Sequence, residues 1–210
     1  MKIAIIGANG QSGKLILAEA LKRGHEVTAI VRRADSTSHT PVLVKDVFEL
    51  TAEDLSAFDV VVSAIGFWTE ETFPLFDKVF RHVSQLLAGT ETRFIVVGGA
   101  GSLFVDPAHT TQLLETPDFP AAFYPLAKAM TDALVTLRTF SATAWTFFSP
   151  AADFDAEGKA SGNYQLGGEE LILNAAGESY ISYADYALAL VDEIENGNFI
   201  RQRFTAVAEK

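Results

Sequence analysis

The first thirteen residues constrain this chain more than any other stretch. Lys2-Ile3-Ala4-Ile5-Ile6 is a short apolar run, followed at once by Gly7-Ala8-Asn9-Gly10-Gln11-Ser12-Gly13. Lys14 to Arg23 then carries Leu15, Ala18 and Leu21 at helical spacing. A strand covered on both faces reads as such an apolar run, and the change of period marks a helix. A glycine-rich turn opening onto a helix leaves the first helical N–H groups free. It also meets the positive end of the helix dipole, which makes it a seat for phosphate.

Each glycine has a role in that setting. Gly7 permits the tight turn, Gly10 lets the backbone approach a pyrophosphate, and Gly13 lets helix and strand pack closely. Asn9, Gln11 and Ser12 complete the expected dinucleotide-binding loop. The spacing is Gly-x-x-Gly-x-x-Gly rather than Gly-x-Gly-x-x-Gly, so position, after a strand and before a helix, supplies the confirmation. The alternative is a plain strand–turn–helix corner with no ligand. The loop lacks a Gly-Lys-Ser/Thr ending, which argues against a nucleoside triphosphatase.

Composition narrows the partners. A chain of 210 residues, 49% hydrophobic and 20% charged, is long enough for one well-buried domain. A net charge of -11 argues against nucleic-acid backbones and anionic membranes, both of which need clustered positive charge. The chain has no cysteine, which removes disulfides, thiolate catalysis and cysteine-ligated metal and fits a reducing compartment. The leading apolar run stops at Gly7, short of a signal peptide or a span, so a cytoplasmic protein is expected. The four histidines have no metal-ligand spacing, and no metal site is expected.

Along the chain, strand and helix patterns alternate. Arg23-Gly24 closes the first helix, and Glu26 to Val31 reads as a second strand. It ends in Arg32-Arg33, where an acidic residue would bind the ribose 2′-hydroxyl of NAD. No acid occurs there until Asp35, and guanidinium suits a 2′-phosphate, so Arg32 favours NADP(H) over NAD(H). Residues 36–40 read as a polar loop. Pro41 to Val44 is a third strand, after which Asp46, followed by Val47, borders the expected adenine or serves as an ordinary turn aspartate. Thr51 caps a short helix to about Ala57. Asp59 to Ile65 is a fourth strand closed by Gly66. Its end, Ala64-Ile65-Gly66, should face the cofactor, and Phe67 and Trp68 follow as candidate walls for a planar substrate.

Pro74 to Ala88 reads as a helix with Leu75, Val79, Val83 and Leu86 on one face. Thr92 to Val97 is a fifth strand, running into a second glycine-rich stretch, Gly98-Gly99-Ala100-Gly101-Ser102. A helix starting at Pro120 or Pro125 runs to Phe140, and Ala144 to Phe148 is a sixth strand ended by Ser149-Pro150 at the cofactor edge. Residues 153–168 read as loop, with residues 153–178 forming a loop-rich cap over the site. Leu171-Ile172-Leu173 is a possible strand. Tyr183 to Glu195 is a helix and Arg203 to Val207 a last strand. The alternation predicts a single α/β domain over residues 1–210, a doubly wound, mostly parallel sheet with helices on both faces and a small C-terminal lobe.

These residues resemble the short-chain dehydrogenase/reductase superfamily in its atypical, NAD(P)H-binding branch. Arg23-Gly24-His25-Glu26-Val27-Thr28-Ala29-Ile30-Val31-Arg32, Val96-Val97-Gly98-Gly99-Ala100-Gly101-Ser102-Leu103 and Trp145-Thr146-Phe147-Phe148-Ser149-Pro150-Ala151 look like a bacterial NADH-flavin reductase group. So do Ser179-Tyr180-Ile181-Ser182-Tyr183-Ala184-Asp185-Tyr186-Ala187 and Arg203-Phe204-Thr205. That group is similar to flavin/biliverdin reductases and NmrA-like proteins. The resemblance implies a Rossmann-type fold and a bound pyridine nucleotide over nearly the whole chain.

It also implies a place to look for a proton donor. The superfamily's Ser, Tyr and Tyr-x-x-x-Lys unit maps onto Ser102, Tyr124 and Lys128, the candidate catalytic residues. On a helix, i and i+4 share a face. Pro125, however, directly follows Tyr124 and pushes it toward the helix start. A flavin would take hydride without this unit, against apolar walls such as Phe67, Trp68 and Phe154. Three functions therefore stand. The first is an NAD(P)H-dependent reductase of flavins, quinones or similar planar acceptors, with flavin as substrate rather than resident cofactor. The second is a non-catalytic NADP(H)-sensing regulator. The third is a carbonyl reductase or epimerase using Tyr124 and Lys128. A monomer or homodimer is expected.

Overall fold

The computed structural model describes residues 1–33 and 40–210. Asp35, His39 and all of the polar loop before Thr40 lie outside the described residues.

Ile3 to Ile6 are buried, as a strand sandwiched between two helix layers requires. This strand, β1 (Lys2–Ile6), leads through the glycine turn to α1 (Gln11–Lys22) and back to β2 (Glu26–Val31), which pairs parallel with β1. β3 (Val42–Val44) adds to β2. The chain then crosses to the other side of β1. The short α2 (Ala52–Leu55) precedes β4 (Val60–Ser63), and α3 (Leu75–Leu87) links it to β5 (Arg93–Val97). α4 (Tyr124–Leu137) leads to β6 (Ala144–Ser149).

After β6 come β7 (Asp153–Asp155), β8 (Tyr164–Gly167) and β9 (Tyr180–Ser182), then α5 (Tyr183–Asn196) and β10 (Gln202–Ala208). The eight-stranded sheet runs β3-β2-β1-β4-β5-β6-β10-β8, with only β8 antiparallel; β7 and β9 pair separately. The order reverses between β1 and β4. In such sheets that switch point is where ligands lie, beyond the carboxyl ends of the strands.

Two cores flank the sheet. One packs α1 and α5 through Ile16, Ala20, Leu190 and Ile194; the other packs α3 and α4 through Val79, Phe80, Val83 and Leu134. On the first face Tyr186, Phe148 and Phe204 stack at 3.9 and 4.0 Å, and Tyr186 donates its hydroxyl to the Phe148 carbonyl at 2.8 Å. α5 starts where Ser182 Oγ accepts the Asp185 N–H at 2.9 Å, and it stops at Gly197 in a left-handed conformation, φ +66°.

The stretch after β6 corrects the sequence reading. Residues 153–168 are not simply loop: β7 joins β9, and β8 forms an edge of the main sheet against β10. Leu171 to Leu173 is no strand. The Leu171 N–H donates instead to the Phe104 carbonyl at 2.8 Å. The Asp185 carboxylate accepts the N–H groups of Ser161 and Gly162, both at 2.9 Å, and so ties the intervening loop to α5.

Candidate functional site

The turn after β1 is built around close approaches. Gly7 has φ +82°, and a Cβ there would stand 2.8 Å from the Ala64 carbonyl oxygen. A Cβ on Gly13 would stand 2.4 Å from the Gly7 oxygen, so helix and turn meet without room for a side chain. Gly10 is the N-cap of α1, and a Cβ there meets only carbonyl oxygens, the nearer at 3.2 Å. The Gly7 N–H donates to Ile30 and the Gly10 N–H to Gly7. The first intrahelical bond is Lys14 N–H to the Gly10 carbonyl at 2.9 Å.

The N–H groups of Gln11, Ser12 and Gly13 therefore lack partners among the described residues. No side chain caps the helix and no acid sits in its first turn. Such an end carries unsatisfied donors and partial positive charge, which an anionic phosphate fits. Asn9 and Gln11 are exposed beside it. Asn9 Nδ2 donates to the Arg33 carbonyl at 3.4 Å, holding the turn beside the end of β2.

Arg32 and Arg33 are exposed just past β2, and neither guanidinium has a partner among the described residues. Asp46 caps a short 3₁₀ turn, its Oδ1 accepting the Phe48 N–H at 3.0 Å within a reciprocal pair with Glu49. That is the turn role. Val47 and Ala64 are buried, Ile65 is half-buried and Gly66 is exposed. The Ala64 N–H donates to Ile6, so the end of β4 is hung on β1 directly beneath Gly7. Ser149 and Pro150 are buried at the end of β6. Ser149 Oγ has no partner among the described residues, and neither does that of its register neighbour on β10, Thr205.

Among the described residues no hydrogen bond joins the three candidate catalytic residues to one another. Ser102 is 3% exposed, and its Oγ accepts from Arg203 Nη1 at 3.1 Å. Lys128 reaches forward along α4 to Asp132, at 2.5 Å. Tyr124 is the first residue of α4 and 43% exposed, with no hydrogen-bond partner among the described residues. The helix start is where Pro125 put it.

Sequence reasoning missed the network that holds Ser102. Arg203 is buried at the start of β10 and donates to the Glu169 carboxylate, which Arg138, the C-cap of α4, also meets at 2.7 Å. Burial alone would raise the Glu169 carboxyl, yet these two guanidinium groups hold it below its ordinary value. The network borders a cleft of about 320 Å³ between α4 and residues 102–112. The one clue in the sequence was a charged residue in an otherwise apolar strand. His109 of that loop stacks on Phe104 at 4.6 Å and meets Glu170. A wider concavity of about 760 Å³, by Met1, Asp59 and Arg93, lies at the opposite, amino ends of the strands. It lacks the glycine turn and the free helix end.

The expected aromatic walls divide. Phe67 turns inward, edge-on to Phe76 with ring centres 4.9 Å apart, whereas Trp68 is 76% exposed. Phe154 is half-buried, its ring tilted 30° against Tyr183 with centres 3.9 Å apart. Among the described residues no group of His, Asp or Glu is arranged to hold a metal, and no helix is long and apolar enough to cross a membrane.

Residues 7–197 match a family described as NAD(P)H-binding. The chain belongs to that family. It is 50% identical to the uncharacterized protein YwnB of Bacillus subtilis, over all of this chain and 99% of the other. The crystal structure of a "putative NADH-flavin reductase" from Streptococcus pneumoniae is 55% identical, covers both chains completely and superposes with a TM-score of 0.97. A "putative epimerase" from Bacteroides thetaiotaomicron is 36% identical over this whole chain and 97% of its own, with a TM-score of 0.86. The glycine turn fits the bound group this family takes: Gly7 and Gly13 leave no room for a side chain, and three amides lack partners among the described residues.

Proposed function

We propose that this chain is an NADPH-dependent reductase that passes hydride to a flavin, a quinone or a similar planar acceptor. The observation that carries the reading is the uncapped first turn of α1 behind the close-packed Gly7–Gly13 turn, with the exposed Arg32 just past β2 and without a partner among the described residues. The Gln11, Ser12 and Gly13 amides hold the pyrophosphate. Arg32 takes the 2′-phosphate, and Asp46 and Val47 border the adenine. The Ala64–Gly66 and Gly98–Gly101 strand ends border the nicotinamide half, over a floor of Ser149 and Pro150.

Reduced nicotinamide, when bound, supplies one hydride, and a proton from water completes a two-electron reduction. The chain's own work is to hold donor and acceptor face to face and to keep water from between them. A side-chain proton donor is not required for a flavin, which agrees with Ser102 bound to Arg203 and Lys128 bound to Asp132. The NADH-flavin reductase name of the Streptococcus relative supports the same acceptor class. On this reading the protein works in the cytoplasm on a small molecule, as a monomer or homodimer, and residues 153–178 border the acceptor side.

The test is loss of the nicotinamide absorbance when purified protein, NADPH and riboflavin or a naphthoquinone are mixed. Turnover that keeps its kcat in Tyr124→Phe supports the proposal. Turnover of carbonyl compounds that dies in Tyr124→Phe would make the chain a carbonyl reductase or epimerase. Nucleotide binding with no turnover would make it a sensor.

A further inference from the structure

Three large exposed aromatic side chains leave the same edge of the sheet. They are Trp68, Phe123 and Tyr124, at 76%, 61% and 43% exposure. Trp68 follows β4, while Phe123 and Tyr124 open α4, which follows the neighbouring strand β5. Beneath them Phe67, Phe73 and Leu126 belong to the fringe of one core cluster. Consecutive residues therefore take opposite directions: Phe67 anchors the segment inward and Trp68 stays out.

The Trp68 indole is not loose. It lies against the Gly66 backbone, where a Cβ would stand 2.9 Å from both Cζ2 and Nε1. Gly66 is the strand-end residue at the proposed cofactor edge. Neither the indole N–H nor the Tyr124 hydroxyl has a partner among the described residues. Glu70 and Glu71 follow Trp68, both exposed. The edge thus offers aromatic faces, two free donors and adjacent negative charge.

We propose that Trp68, Phe123 and Tyr124 form the outer wall of the acceptor site and select a flat, uncharged ring system with carbonyl groups on its rim. This inference rests on the reductase reading above. The ring stacks on the indole, and Trp68 Nε1–H and Tyr124 O–H meet its carbonyl oxygens. Glu70 and Glu71 disfavour a phosphate tail, so riboflavin and naphthoquinones are better acceptors than FMN.

The experiment compares wild type with Trp68→Ala, Trp68→Phe and Tyr124→Phe, using riboflavin and FMN. Trp68→Ala should raise KM for riboflavin about tenfold with kcat nearly kept, and Trp68→Phe should restore most of it. Riboflavin KM should lie below FMN KM in the wild type. Binding is also read without turnover. Trp145 is 3% exposed, so the solvent-accessible tryptophan emission belongs to Trp68. Riboflavin added to the wild-type protein–NADP⁺ complex should quench that emission, and FMN should quench it only at higher concentration. NADP⁺ affinity should move less than about twofold.

Unchanged riboflavin KM in Trp68→Ala, or wild-type emission that riboflavin leaves unquenched, would overturn the proposal. So would FMN binding as well as riboflavin, or a dimer that Trp68→Ala converts to monomer with acceptor KM unaltered. Wild-type protein that binds no NADP⁺ would count instead against the reductase reading.

Discussion

Gly10→Ala should separate folding from nucleotide binding. Gly10 has φ -70° and ψ 167°, which an alanine adopts without strain. The added Cβ would stand 3.2 Å from the Gly7 carbonyl oxygen and 3.8 Å from that of Ala64, close but not colliding. Two small stability effects oppose each other. Restricting the unfolded chain contributes about 0.4–1 kcal/mol, and replacing an N-cap glycine by alanine costs a similar amount, up to about 1 kcal/mol. The net change should lie within about 1 kcal/mol, or roughly 2–4 °C in Tm for a domain of this size.

The effect on ligand binding should be larger. The methyl group crowds the turn that leads into the Gln11, Ser12 and Gly13 amides, where a phosphate must approach the backbone. A hydrogen bond to a charged group is worth about 1.5–3 kcal/mol, so losing one costs about tenfold or more in affinity. Isothermal titration with NADPH, beside a thermal melt, reads both quantities. Gly13→Ala is the contrast: its Cβ falls 2.4 Å from the Gly7 oxygen, and overpacking should cost about 1–3 kcal/mol in stability as well as binding. A Gly10→Ala protein that binds NADPH as tightly as wild type would refute the reasoning.

Other outcomes follow from the same structure. Arg32→Ala should weaken NADPH by about tenfold and NADH by less than about twofold, because only the former has a 2′-phosphate to lose; competitive binding of the two nucleotides checks it. Lys128→Ala should change flavin turnover less than about threefold, whereas removing a working proton-transfer residue costs about a hundredfold or more; steady-state kinetics decide. Glu169→Gln should destabilise the protein by about 2 kcal/mol at neutral pH, since it leaves the buried Arg203 short of its counter-charge. The Glu169 carboxyl is held below its ordinary value in the folded state, so its contribution is complete above about pH 4.5 and is lost as pH falls through the folded value. Denaturant titrations should show a shallower acid loss in Glu169→Gln than in wild type.

Much of the scaffold was legible because its signals are local. The β1 run, the glycine spacing and the Arg23-Gly24 stop specify the first strand–helix–strand unit within about thirty residues. α3 and α5 announced themselves by periodicity and by the Gly89 and Gly197 stops. The C-terminal region was harder. Asp153–Asp155 and Tyr164–Gly167 are too short and too mixed in polarity to show a period of two, and β8 exists only because β10 offers it an open edge. Leu171 to Leu173 misled for the converse reason: Ile172 packs against one core, Leu173 is exposed, and among the described residues no strand pairs with the segment.

The site divides the same way. The glycine turn could be read because Gly10 and Gly13 answer backbone contacts with Gly7, a few residues away, and Gly7 takes a positive φ; the close approach of Gly7 to Ala64 is not local. Ser102 could not. Its partner Arg203 lies 101 residues on, and nothing near either residue names the other. The Lys128–Asp132 pair is visible in the sequence at i,i+4 spacing, the same spacing that suggests a Tyr124–Lys128 pairing, and the ion pair takes the lysine.

The central claim is that the free amides opening α1 hold a pyridine-nucleotide pyrophosphate. A crystal structure of the protein grown with NADP⁺ tests it most directly. The account predicts the pyrophosphate oxygens within hydrogen-bond distance of the Gln11, Ser12 and Gly13 N–H groups, with the 2′-phosphate against Arg32. Nucleotide bound elsewhere on the molecule, or an empty glycine turn at saturating NADP⁺, would contradict it.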